Sequence, residues 1–107
     1  MKRGDVVVAV MKGDYGKPRP AVVVQNDLYA GHTSVTLLMM STTLTEFQDI
    51  RITIEPTLAN GLRETSQILA DRLQTVPRDR IGGVVGRLTP EQMVLVDRAL
   101  TLFLGLP

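Results

Sequence analysis

Six short apolar runs, rich in β-branched residues and divided by turn formers, confine this chain to a small β fold. Val6-Val7-Val8-Ala9-Val10-Met11 is a continuous run of strand length, and so are residues 21–25. Val35 to Met40 is a third, with Thr36 its only polar interruption, and Arg51-Ile52-Thr53-Ile54 alternates as a half-buried strand should. Residues 67–76 predict one bent strand or two short ones, and residues 83–88 a last short strand. The period then changes. Thr89 can cap a helix, Pro90 suits its first position, and Gln92 completes a capping box. Met93, Val96, Leu100 and Phe103 follow at three- and four-residue steps as a core stripe, Arg98 faces away, and Gly105 is a stop. The predicted class is mainly β with α: a small SH3-like, strongly bent barrel sheet of five to seven strands with a C-terminal helix. That architecture hosts many functions, so function has to come from the site.

The 107 residues suit one domain, 1–107, and 44% apolar content supports a packed core. No apolar run reaches the roughly 18–20 residues of a membrane span. Lys2, Arg3 and Asp5 crowd the start, where a signal peptide would be apolar. A soluble, cytoplasmic protein is expected. Without Cys there are no disulfides or thiolate metal sites, and one His with scattered carboxylates predicts no metal and no cofactor. The formal net charge is +1. Lys12, Asp14, Lys17 and Arg19 nevertheless form one local basic patch, and Arg72, Arg78, Asp79, Arg80 and Arg87 another. Two such patches fit a phosphate-bearing ligand, or a solvated surface balanced in space by acids.

The segment Gly13-Asp14-Tyr15-Gly16-Lys17-Pro18-Arg19-Pro20 is a polar turn delivering one arginine to the mouth of an apolar strand. Pro18 and Pro20 restrict the backbone on either side of Arg19. The guanidinium is always charged and carries five donors in a fixed fork, which suits phosphate. Arg19 is therefore either a phosphate clamp or a surface partner of Asp14 or Asp27. Ser41-Thr42-Thr43 ends the third strand. These hydroxyls can donate to phosphate, or cap a helical turn with Thr45 or Glu46 three residues on. His32 lies in a polar turn, where an exposed, non-catalytic role is expected. Arg3-Gly4-Asp5 opens a buried strand, which argues against an adhesion motif. Asp71-Arg72 predicts an ion pair that fixes register or an interface.

These residues, in this order, resemble the MazF/PemK family of bacterial toxins, partners in toxin–antitoxin systems. Arg3-Gly4-Asp5-Val6-Val7 matches the family's opening, and Arg19-Pro20-Ala21-Val22-Val23 its most specific pattern. Ser41-Thr42-Thr43, the segment from Ser66 to Val76, and Gly86-Arg87-Leu88 before the terminal helix continue the match over nearly the whole length. The resemblance implies a CcdB/PemK-like fold, a homodimer, and a ribosome-independent endoribonuclease that cuts single-stranded mRNA. It gives Arg19 and Thr42 the catalytic positions. Supporting or RNA-binding roles go to Asp14, Tyr15, Lys17, Ser41, Thr43, Ser66 and Gln67, with Tyr15 and Tyr29 offering stacking surfaces near the site.

The implied reaction is metal-independent attack of a 2′-OH on the adjacent phosphate, leaving a 2′,3′-cyclic phosphate and a 5′-OH. The implied partners are single-stranded RNA and an acidic, partly disordered antitoxin that folds on the basic surface, with no membrane. A CcdB-like, non-catalytic inhibitor of DNA gyrase shares the fold class and is the alternative. The chain ends Phe103-Leu104-Gly105-Leu106-Pro107 with no Trp, whereas CcdB-type proteins use an aromatic, glycine-bearing tail. A peptide-binding adaptor is a third reading, and 4% aromatic content argues against it.

Overall fold

The computed structural model describes residues 1–10, 16–46 and 49–107. Strands β1 (Asp5–Val10), β2 (Pro18–Val23), β3 (Ser34–Ser41), β4 (Arg51–Ile54), β5 (Ser66–Pro77) and β6 (Ile81–Arg87) precede helix α1 (Pro90–Leu104). The strands form one antiparallel sheet in the order β4-β5-β3-β2-β1-β6. The number falls within the expected five to seven. The barrel, however, is not closed, because β4 and β6 remain as edges and do not pair with each other. β4 has only four residues and β6 carries two irregularities against β1, so neither presents a flat ladder to the other.

Period-2 alternation sorts the apolar residues onto two faces. Val6, Val22 and Leu38 lie side by side across β1, β2 and β3, and they join Met40, Ile54, Ile68 and Leu88 in one buried cluster. Val7, Ala21 and Met39 align on the other face with Ala9, Val23, Val35 and Leu37. Helix α1 covers the first face through Val96 and Ala99, with Met93 and Leu100 partly buried beside them. Burying a Val or Leu side chain fully contributes about 1.5–3 kcal/mol, so these clusters carry the fold.

The helix starts and stops as its residues dictate. Thr89 Oγ1 accepts from the Gln92 N–H and the Gln92 side chain accepts from the Thr89 N–H, while Gly105 ends the helix in the left-handed conformation at φ 69°. Phe103 departs from the expected core stripe. It is 47% exposed because the packed face of α1 stops short of the last turn, where Leu102 and Leu104 are exposed too.

β5 is the single bent strand allowed by the sequence. Leu38 pairs with Leu73 and Met40 with Ile68, so four residues of β5 oppose one of β3 and the strand bends there. Asp71 lies inside this bulge. Its partner is Arg51 of β4, not the adjacent Arg72: Arg51 Nε and Nη2 donate to the two carboxylate oxygens at 3.0 and 2.8 Å. Neighbours in a strand point to opposite faces, and Arg51 reaches Asp71 from the facing strand.

Hydrogen bonding to Arg51 holds the Asp71 carboxyl below its usual range, outweighing a burial effect of opposite sign. The pair therefore stabilises fully at neutral pH and loses its contribution as pH falls through the depressed folded value. Arg51→Ala is expected to cost about 1–2 kcal/mol in a urea titration at neutral pH. The gap to the parent should close in acid; a gap that stays constant with pH would assign the loss to packing.

Candidate functional site

β2 begins earlier than the apolar run predicts. Its pairing with β1 starts at Pro18, opposite Val10, and continues through Arg19 opposite Ala9 and Pro20 opposite Val8. Arg19 is therefore the second residue of a strand and not the end of a turn. The prolines fit because pairing with β3 starts only at Ala21, and among the described residues no strand pairs with this stretch on its far side. Arg19 is half-buried and its Nε atom is buried. It lines a cleft of about 560 Å³ with Val8, Pro18, Pro20, Gly61, Leu62, Arg63 and Val85. A cleft of this volume accepts a small ligand or a short stretch of chain.

The wall opposite β2 is the turn at residues 57–63. Asn60 is buried and ties it together: its side-chain carbonyl accepts from the Thr57 and Leu62 N–H groups, and its amide donates to the Glu55 carbonyl. The turn leans on β6. The Arg87 N–H donates to the Ala59 carbonyl at 2.9 Å, and a Cβ on Gly61 would lie 2.2 Å from the Val85 carbonyl oxygen. Gly61 also has φ 68°, which a side chain would strain.

The other expected residues fall into three groups. Ala21 pairs with Met39, so Arg19 before it and Ser41 after it lie at the same end of the β2–β3 pair. Thr42 follows there, exposed, and makes no side-chain hydrogen bond among the described residues; Thr43 is exposed as well, and Lys17 is exposed just before β2. The Ser41 hydroxyl accepts from the Thr43 N–H at 3.0 Å. The expected helical turn does not follow, and Ser41 instead closes a tight local turn that presents Thr42.

Ser66 and Gln67 are buried at the start of β5. Ser66 donates to the Glu64 carbonyl; Gln67 accepts from the Thr45 N–H and donates to the Thr45 carbonyl, both at 2.9 Å. They hold the segments on either side of β4 instead of facing solvent.

Asp14 and Tyr15 lie outside the described residues. Tyr29 stands away from Arg19, at the far end of β2, where its ring meets the exposed His32 edge-on at 5.4 Å. A six-residue strand spans roughly 17–20 Å, and the β2–β3 connection sits at its opposite end from Arg19.

The second basic patch is partly consumed by structure. Arg78 donates to the Ala30 and His32 carbonyls, and Arg87 pairs with Asp5 at 3.5 Å. Arg72 and Arg80 remain exposed. Asp27, considered as a partner for Arg19, instead accepts from the Arg3 N–H at 2.7 Å. Among the described residues no three His, Cys, Asp or Glu side chains gather into a metal-binding group, and no helix is long and apolar enough to cross a membrane.

Comparison with known proteins agrees over the full length. A model of the family described as PemK-like, MazF-like toxin of type II toxin-antitoxin system matches residues 2–104. The probable endoribonuclease MazF of Mycolicibacterium smegmatis is 44% identical over 107 residues, spanning 99% of this chain and 98% of that protein. Endoribonuclease EndoA of Bacillus subtilis is 28% identical over 111 residues, spanning 99% and 96%. Among solved structures, an endoribonuclease in complex with its cognate antitoxin from a mycobacterial species superposes with a TM-score of 0.84 at 27% identity, covering 100% of this chain and 97% of that one. The MazE–MazF structure from Deinococcus radiodurans shares the fold, with a TM-score of 0.80 at 19% identity and coverage of 100% and 97%.

Proposed function

The chain belongs to the PemK-like, MazF-like toxins of type II toxin–antitoxin systems, and from that premise we propose that it is the family's ribosome-independent endoribonuclease, cutting single-stranded mRNA. The observation that carries this reading is Arg19. It stands between two prolines in a paired strand, with its side chain lining a cleft. The relatives' endoribonuclease names agree with it, and the comparisons do not favour the gyrase-inhibitor alternative.

In the proposed reaction a ribose 2′-OH attacks the adjacent phosphorus. The P–O5′ bond breaks, leaving a 2′,3′-cyclic phosphate and a 5′-OH. One proton leaves the 2′ oxygen and one reaches the 5′ oxygen. Charge gathers on the non-bridging oxygens in the transition state. Arg19 stabilises that charge from a fixed position, and the Thr42 hydroxyl donates to one of these oxygens. A guanidinium carries only donors and is a poor base, so its role is electrostatic. Water or Asp14 takes the proton. Ser41, Thr43, Ser66 and Gln67 support the two loops, and Lys17 and Tyr15 add RNA contacts.

The whole length, 1–107, serves as one cytoplasmic toxin domain and works as a homodimer. Its antitoxin is acidic and partly disordered. Mapping the ends produced from a long single-stranded RNA in EDTA tests the reading. Discrete cuts with 5′-OH ends are expected, and single-stranded DNA should stay intact because it lacks the nucleophile. Intact RNA beside a well-folded protein would remove the nuclease reading.

A further inference from the structure

We propose that Arg63 is a second phosphate-binding residue of the cleft, holding the RNA phosphate next to the one that reacts at Arg19. The proposal rests on the RNA-cleaving reading above for the identity of its ligand. It rests on geometry for the residue. Arg63 lies on the wall opposite β2 and lines the same cleft as Arg19. Among the described residues it makes no hydrogen bond or ion pair, and it is exposed.

The mounting of Arg63 matters more than its charge. Leu62, the residue before it, packs partly buried against the core, and its N–H is held by buried Asn60 at 3.0 Å. Gly61 is pressed against the β6 backbone. The chain leading into Arg63 is thus anchored through Gly61 and Leu62, while the Arg63 side chain remains free to meet a ligand. Fixed placement removes part of the ordering cost of binding. An RNA strand presents a phosphate at every nucleotide, so two cations lining one cleft serve two neighbouring phosphates.

The two arginines differ in setting, and this divides their work. Arg19 is half-buried, where charge stabilisation is strong. Arg63 is exposed, where charge is screened, so it contributes to binding in ground state and transition state alike. A phosphate contact positions the strand and carries no sequence information.

The test uses a single-stranded RNA blocked by a 2′-O-methyl group at the cut site, with affinity measured by fluorescence anisotropy across a salt series. Arg63→Ala should weaken binding roughly 5- to 30-fold at low salt and lower the slope of log K against log salt by about 0.7, the single-strand value for one phosphate contact. Arg63→Lys should keep the slope. On cleavable RNA, Arg63→Ala should raise KM with kcat and the set of cut sites unchanged.

Unchanged affinity and slope would overturn the proposal. A changed set of cut sites would overturn it as well, because Arg63 would then be reading a base. If the parent protein binds RNA without cutting it, the nuclease reading fails, while a lowered slope in Arg63→Ala still upholds the phosphate contact. If the parent neither binds nor cuts, both fall.

Discussion

Arg19→Ala is expected to lower cleavage of single-stranded RNA by at least 10²–10³-fold, the usual consequence of removing a positioned donor to a developing oxyanion. The fold should survive. The substitution leaves the β2 backbone and its pairing with Ala9 in place, and Ala is smaller than the cleft it would face. Circular dichroism and thermal melting should match the parent while the rate collapses, with kcat and kcat/KM falling together. Arg19→Lys is the sharper comparison. It keeps the charge and loses the planar fork, so recovery of most activity would argue for charge alone, and little recovery for bidentate geometry. A variant that still cuts at the parent rate would move the chemistry away from this strand.

Gly86→Ala should have the largest effect on stability. A Cβ there would lie 2.3 Å from the Asn60 carbonyl carbon, 2.4 Å from its oxygen and 2.5 Å from the Ala59 oxygen. All three are backbone atoms, so no side-chain rotation relieves the clash. The turn at 57–63 would have to lift off β6, breaking the Arg87 N–H bond to Ala59. A loss of about 3 kcal/mol is expected. That corresponds to a fall in Tm on the order of 10–20 °C for a domain of this size. Gly82→Ala supplies the control, since its Cβ would meet only the Val8 oxygen at 3.6 Å. It should change stability by less than about 1 kcal/mol. Equal effects at the two glycines would mean that strand propensity, and not the close approach of the turn, sets the cost.

Local features of the sequence located most of the elements. Thr89, Pro90, Gln92 and Gly105 marked both ends of α1 because caps are satisfied by residues a few positions away. β-branched runs located the strands for a similar reason. Long-range features were less visible. The bend in β5 could be expected, but the pairing of Asp71 with Arg51 depends on which strand lies alongside, and the adjacent Arg72 looked like the natural partner.

The site divides in the same way. Arg19 stood out through its flanking prolines and the family pattern. Arg63 did not, because Asn60-Gly61-Leu62-Arg63 reads as an ordinary turn; its placement comes from Gly61 meeting β6, more than twenty residues later in the chain. Tyr29 departs from its expected place for the opposite reason. It is near Arg19 in sequence, and a full strand carries it away.

The cleft draws its walls from Val8 in β1 and from Val85 in β6, the first and last strands in chain order. β1 pairs with β2 through a short connection, but it meets β6 only when residues 81–87 are available. Synthesis proceeds from the N-terminus, so β1 and β2 emerge well before the turn bearing Arg63 has β6 to lean on. A nascent chain still lacking β6 has half of a cleft. Completion of the site therefore waits for β6, which follows every other wall of the cleft in chain order.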